Sequence, residues 1–349
     1  MSPLPRKPII GVIVLILLAL VGFFLIVHPA ANLSPLSNLS QTLSPASTPF
    51  PFQELTIPYL KSRPYQSRLG ELEPVAAHTN YTAYLTSYDS DGLRINAFLT
   101  KPSGDEPAGG WPAIVFVHGY ISPTLYSTLE KYADYVDYLA RNGFVVFKID
   151  LRSHANSEGT ASGAYYSGDY IIDTLNARTA LSSSGFVNPD KVGLWGHSMA
   201  GNIVLRSLAA APDIPAVVIW AGAVYTYSDM REYGINDNSY RPPTADTLRQ
   251  REREKLRAAH GDFNLDDPFW QLVPATNFLG SVKGAIQIHH AVGDPVVSID
   301  YSRNLNKILD QTNIPHQLIE YPSGGHNITG ANFTKAMANT VEFFHDHLQ

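Results

Sequence analysis

Cysteine is absent from this 349-residue chain, which excludes a thiolate nucleophile, a disulfide framework and a cysteine-based zinc site. Nor is there a surplus of basic charge. Lys and Arg total 25 against 31 Asp and Glu, a formal charge of −6, and the two signs are interspersed, so no basic stripe is available to neutralise phosphates. Nucleic acid is not an expected partner. The chain shows no repeat of solenoid period. Its mix of apolar, charged, Gly and Pro residues is that of a globular protein, long enough for one large α/β domain plus a tail.

The sequence opens instead on a long apolar run. Ile9 to Val27 carries no charge and is rich in Ile, Leu and Val, and about twenty such residues span a bilayer core as a helix. Arg6 and Lys7 precede it, so the positive-inside bias places residues 1–8 in the cytoplasm, a transmembrane helix at 9–28, and the rest of the chain outside. A cleaved signal peptide is the competing reading. Pro29 interrupts the small-residue cleavage register and the run exceeds a usual h-region, so an uncleaved anchor is expected. Residues 29–58, dominated by Ser, Pro, Asn, Leu and Thr, read as a flexible spacer. The sequons at Asn32, Asn38 and Asn80 are what such a composition yields by chance.

Residues 59–349 have the rhythm of an α/β domain. Short apolar runs alternate with amphipathic stretches, as in strands and crossover helices of one mostly parallel sheet. Buried strands are expected at Ala113 to His118, Phe144 to Asp150, Lys191 to Trp195, Ala216 to Ala221 and Ala285 to His290. Apolar spacing predicts helices over Leu125 to Arg141, Tyr170 to Ser183, Ser198 to Ala210, Tyr301 to Gln311 and Thr334 to His347. An antiparallel hairpin turning at Asp91-Gly92 precedes the parallel core. Between about 222 and 274 the regularity lapses, which reads as a small inserted cap, with Leu248 to His260 as a charged helix having a solvated face.

Three loops carry candidate chemistry. After the strand ending at Trp195 comes Gly196-His197-Ser198-Met199-Ala200-Gly201, followed at once by a helical run. This strand, tight turn and helix matches the nucleophile elbow G-x-S-x-G, with Ala200 in place of the last glycine. A serine hydroxyl needs a base, and the base needs a carboxylate that fixes its tautomer. The order Ser, acid, His is met by Asp294, in the loop after the last of those strands, and His326, in a Gly-rich loop before the final helix. All three follow C-terminal strand ends. Asp300 is read instead as a helix cap, and His289, His290 and His316 as packed imidazoles in or beside strands. Backbone N–H groups of Met199 and Tyr120 are the candidate oxyanion donors, with Gly119 allowing close approach. His118 and the polar loop headed by Asp150 are read as structural. Nothing suggests a metal site. Trp220, Tyr225 and Trp270 are candidate lining for an apolar substrate pocket, with core packing as the alternative.

From about Tyr81 onward the chain resembles the α/β-hydrolase superfamily, and within it the prolyl oligopeptidase-like and dienelactone hydrolase-like group. The marks are FVHGY, DLRSHANSEG, NPDKVGLWGHSMAG, VGDPVV and GGHN; Ser153 and Ala155 stand where that family often has Gly. The resemblance implies a serine hydrolase that needs no cofactor and acts on a short peptide or small-molecule substrate. No propeller repeat is visible before the catalytic residues, so peptidase and carboxylesterase readings both stand. A non-catalytic binding protein on a hydrolase scaffold is disfavoured, because such a scaffold has no need to keep Ser198, Asp294 and His326 together.

Overall fold

A computed structural model describes residues 49–161, 165–236 and 248–348. The expected anchor at 9–28, the residues before it and the spacer up to residue 48 lie outside the described residues. Among the described residues no helix is long and apolar enough to cross a membrane.

Nine strands form one sheet. In chain order they are β1 (Glu73–Ala77), β2 (Tyr81–Ser90), β3 (Leu93–Pro102), β4 (Trp111–Val117), β5 (Val145–Ile149), β6 (Val187–His197), β7 (Ala216–Trp220), β8 (Ala285–Ala291) and β9 (His316–Tyr321). Their spatial order is β1-β2-β3-β5-β4-β6-β7-β8-β9. The first three strands and the β3–β5 pair are antiparallel, and from β5 to β9 every pairing is parallel. The β2–β3 hairpin closes with Ser90 opposite Leu93, so Asp91-Gly92 is its turn. Chain direction across the sheet reverses around β4, whose neighbours are β5 and β6. The C-terminal ends of β4 and β6 therefore lie side by side, where open α/β sheets bind their ligands.

The helices are α1 (Ile57–Ser62), α2 (Ala133–Arg141), α3 (Asp169–Ser182), α4 (Met199–Ala210), α5 (Tyr227–Tyr233), α6 (Leu248–His260), α7 (Pro268–Gln271), α8 (Asp300–Leu309) and α9 (Ala331–Leu348). Strand period 2 splits the core into two layers. Ala113, Val115 and Val117 of β4 join the layer covered by α1, α3, α4 and α8, whereas Ile114 and Phe116 join the one covered by α2 and α9. Parallel strands enclosed on both faces read as unbroken apolar runs, which is why these strands stood out in the sequence.

Several boundaries differ from expectation. The domain begins at Phe50, earlier than residue 59, because Leu55, Ile57 and Leu60 are fully buried and the Ile57 N–H donates to the Leu272 carbonyl at 2.9 Å. The helix expected from Leu125 starts only at Ala133. The buried Lys148 ammonium donates to the carbonyls of Thr128 and Lys131, which a helix would need for itself, and Tyr132 turns left-handed at φ 62°. Leu125 and Leu129, whose spacing suggested a buried face, are exposed. Asp300 is the first residue of α8 rather than its cap: its N–H donates to the Ser298 hydroxyl at 3.2 Å.

In the region 222–274, read from the sequence as a cap, the described residues form the helices α5 to α7, with their own cluster of Tyr227, Leu256, Phe269, Trp270 and Val273 around Leu55. Leu256 anchors the largely charged α6 among those buried residues.

The loop after β5 is held from within. Arg152 donates to both oxygens of the fully buried Asp173, at 2.7 and 3.0 Å, and pairs with Asp169 at 2.9 Å. Ser153 at φ 71° and Ala155 at φ 48° keep the left-handed backbone that glycine would adopt without steric cost. Ser153→Gly and Ala155→Gly are each expected to stabilise the protein by about 0.5–1 kcal/mol, the relief of left-handed strain less the added entropy of the unfolded chain. Urea unfolding midpoints check this, and a loss of stability in both variants would contradict the strain assignment.

Candidate active site

The turn between β6 and α4 sets the geometry. Ser198 has φ 56° and ψ −117°, a strained conformation for a residue with a side chain. Its N–H donates to the Trp220 carbonyl at 2.8 Å, and its own carbonyl accepts from the N–H of Gly201 at 2.9 Å and of Ala223 at 3.3 Å. A Cβ on Gly196 would lie 2.7 Å from the Ala200 carbonyl oxygen, and one on Gly201 2.7 Å from the Gly222 Cα. These two positions must be bare. Ala200, fully buried, meets no such limit, so the close approach that the last motif glycine would serve is made one residue later, at Gly201.

His326 lies in a 3-10 turn, Gly325–Asn327, reached through Gly324 at φ 113°. Its Nδ1 is 2.8 Å from Asp294 Oδ2, with the carboxylate fully buried and the imidazole 16% exposed. Asp294 Oδ1 accepts from the N–H of Val296 at 2.8 Å and of Val297 at 3.1 Å. Burial by itself would raise this carboxyl's pKa. Hydrogen bonds from His290 and His326, the charge of His326 and the Val296 amide outweigh burial and hold it below the usual carboxylate range. Asp294 is thus an anion that keeps the proton of His326 on Nδ1 and leaves Nε2 as acceptor. Among the described residues no hydrogen bond joins Ser198 Oγ to His326 Nε2; in free enzymes such links commonly tighten on substrate binding.

The β4 loop lies against the elbow. A Cβ on Gly119 would meet the Tyr132 hydroxyl at 2.9 Å and the His197 carbonyl oxygen at 3.1 Å. The Gly119 N–H donates to the Tyr132 hydroxyl at 2.9 Å, so the amide this loop can turn toward an oxyanion is the next one, that of Tyr120. Met199 opens α4, and a first helical residue has an N–H without an intrahelical acceptor, at the positive end of the helix dipole.

Three partners of this site had no distinct signal in the sequence. His290 is fully buried, with Nε2 at 3.3 Å from Asp294 Oδ2 and 3.1 Å from the Val297 carbonyl, and Nδ1 at 2.7 Å from the Ser302 hydroxyl. It was expected as a packed imidazole, and what it packs against is the acid. His197 Nδ1 lies 2.8 Å from the Tyr132 hydroxyl and its Nε2 2.9 Å from the His326 carbonyl oxygen. The rings of His197 and His326 are 4.6 Å apart. The other alternative bases are occupied elsewhere: His289 with Tyr321 and Gln287, His316 with Asp310 and the Ile314 carbonyl.

The expected substrate aromatics divide. Trp220 is fully buried in the α2–α9 layer, its Nε1–H donating to Thr340 Oγ1 at 3.3 Å, because a side chain at the end of β7 points through the sheet away from the elbow's helix. Trp270 is core of the cap, donating to the His260 carbonyl. Tyr225 lines a small depression shared with Asn202, Arg206 and Tyr227. Among the described residues no group of three or more His, Asp or Glu could hold a metal ion.

A family profile described as serine aminopeptidase, S33, matches residues 112–258, the segment containing the β4 loop and the elbow. The chain has the α/β-hydrolase fold. The chain is 30% identical over 165 residues to a polyketide transferase, claH, of Penicillium crustosum, covering 47% of this chain and 51% of that protein. It is 30% identical over 141 residues to dipeptidyl peptidase 8 of Mus musculus, covering 39% of this chain but 16% of the peptidase. It spans about half of the first relative and far less of the second. Among solved structures it superposes on acetyl xylan esterase 1 of Thermoanaerobacterium sp. with TM-score 0.59 and 20% identity, over 88% of this chain and 98% of the esterase.

Asp294, with its pKa depressed in the folded state, contributes stability that is fully present above the unfolded carboxyl pKa of about 4 and is lost as pH falls toward the lower folded value. Asp294→Asn removes that contribution. The variant is expected to lose less stability than the wild type between about pH 5 and pH 2 in urea titrations, and equal losses would contradict the depressed pKa.

Proposed function

We propose that this hydrolase cleaves an acyl bond through a Ser198-Asp294-His326 triad and an acyl-enzyme intermediate, and that the apolar run at 9–28 anchors it to a membrane with the catalytic domain outside. The observation that carries the reading is the Asp294–His326 hydrogen bond at 2.8 Å, held beside a serine in a strained strand-to-helix turn. His326 Nε2 takes the Ser198 proton as Oγ attacks the carbonyl carbon, while Asp294 stabilises the imidazolium that forms. The tetrahedral oxyanion receives the N–H groups of Met199 and Tyr120, and the proton on Nε2 then goes to the leaving group. Water, deprotonated by the same imidazole, releases the acid and restores Ser198. Localisation rests on the uncharged length of 9–27 behind Arg6 and Lys7.

The bond is an ester or a peptide. The peptidase reading rests on the S33 profile and the likeness to dipeptidyl peptidase 8. The ester reading has its own support, since the acetyl xylan esterase is matched over nearly its whole length while the peptidase is matched over a small part of its own.

A fluorophosphonate probe is expected to label the wild-type protein and not Ser198→Ala, with His326→Gln labelling about a thousandfold more slowly or worse. Equal labelling of wild type and Ser198→Ala would sink the assignment of the nucleophile. Turnover of p-nitrophenyl acetate beside that of short peptide p-nitroanilides separates the two substrate readings: amide turnover at background removes the peptidase, ester turnover below amide turnover the esterase.

A further inference from the structure

We propose that His197 and Tyr132 form a positioning latch that ties the oxyanion loop and the loop of the catalytic base to each other across the nucleophile elbow. The inference rests on the triad proposed above.

The polarity of the latch is fixed by its ends. The His326 carbonyl can only accept, so His197 Nε2, 2.9 Å away, carries the ring's proton. His197 Nδ1 is then an acceptor and takes the Tyr132 hydroxyl hydrogen across 2.8 Å. The Tyr132 oxygen in turn accepts the Gly119 N–H at 2.9 Å. Gly119 N–H, Tyr132 O–H, His197 and the His326 carbonyl thus form one chain in which each hydrogen has a single place.

That arrangement requires a neutral ring. Burial, and after it the charge of His326, lowers the pKa of His197 to about 3, so the ring stays neutral beside the base even when the base is protonated. His197 is 3% exposed, and the Tyr132 ring packs edge-on to Phe116 at 5.4 Å and to Trp195 at 6.1 Å. The left-handed backbone of Tyr132, which follows the two carbonyls held by Lys148 at Thr128 and Lys131, delivers the hydroxyl to this spot. The far side of the base loop has a separate tie, Tyr135 Oη donating to the Asn327 carbonyl at 2.8 Å.

The chain connects the two groups that must act on one carbonyl: the donor loop after β4 and the imidazole after β9. They arise from strands four positions apart in the sheet order β4-β6-β7-β8-β9, so sheet pairing alone does not fix their separation to the accuracy that catalysis needs. A positioning residue acts on turnover more than on substrate binding, and misplacement by about 1 Å costs on the order of a hundredfold in rate.

The test uses the full-length chain and p-nitrophenyl acetate. Tyr132→Phe, which keeps the ring and loses the hydroxyl, and His197→Phe are expected to lower kcat about 10- to 100-fold with KM changed by less than about twofold. His197→Gln, whose amide can still donate to the His326 carbonyl, should recover at least half of the logarithmic loss. If His197→Phe does not fold, Tyr132→Phe and His197→Gln carry the comparison. Variants that fold and turn over within about twofold of the wild type, or that lose activity only through KM, would overturn the latch. A wild type unreactive toward a fluorophosphonate would overturn the triad and the latch together, whereas a reactive wild type with unimpaired variants removes the latch alone.

Discussion

The fold is organised around one strained residue. Ser198 can hold its unfavourable φ and ψ only because the chain before and after it is gripped: its N–H by the Trp220 carbonyl of the next strand, its carbonyl by Gly201 and Ala223. Side chains at positions 196 and 201 would break that grip, since their Cβ atoms would enter the Ala200 and Gly222 backbones. The strain, of order 1–3 kcal/mol for such a residue, is offset by the two packed layers around β6 and α4. It leaves the hydroxyl at the head of a helix and beside the end of β4.

Histidine shows how the same side chain is given different work by its surroundings. Four imidazoles stand within or near the site, and each is defined by what faces its two nitrogens. His326 has a carboxylate on one side and an open second nitrogen, so it can move a proton. His290 has the acid on one side and a serine hydroxyl on the other. His197 is fixed between a tyrosine and a carbonyl, and His118 between two backbone carbonyls, each buried deeply enough to keep its pKa near 3. Only the first is suited to a base. Those around it hold the acid and the loops in place through the partners of their two nitrogens.

Much of this was legible in the residues. The parallel strands announced themselves because strands covered on both faces are apolar throughout, and Asp91-Gly92 marked its hairpin. The candidate triad followed from chain order and from the requirement that nucleophile, acid and base all leave the same end of the sheet. What misled was periodicity without burial. Leu125 and Leu129 have helical spacing but are exposed, because Lys148 withdraws the carbonyls that a helix would use; Trp220 looked like pocket lining, but strand alternation sends it to the opposite face.

The sequence by itself determined the α/β class and the absence of thiol chemistry, and it put forward Ser198, Asp294 and His326 as candidates, because local patterns encode strand burial, tight turns and loop position. Only the tertiary structure decided that the chain from Phe50 onward packs as one unit, that Gly201 rather than residue 200 makes the close approach, and that His290 faces Asp294 while His197 and Tyr132 link the His326 carbonyl to the Gly119 N–H. Those roles depend on contacts between residues as far as 129 positions apart, and no local pattern of side chains records which distant atom a buried nitrogen will face.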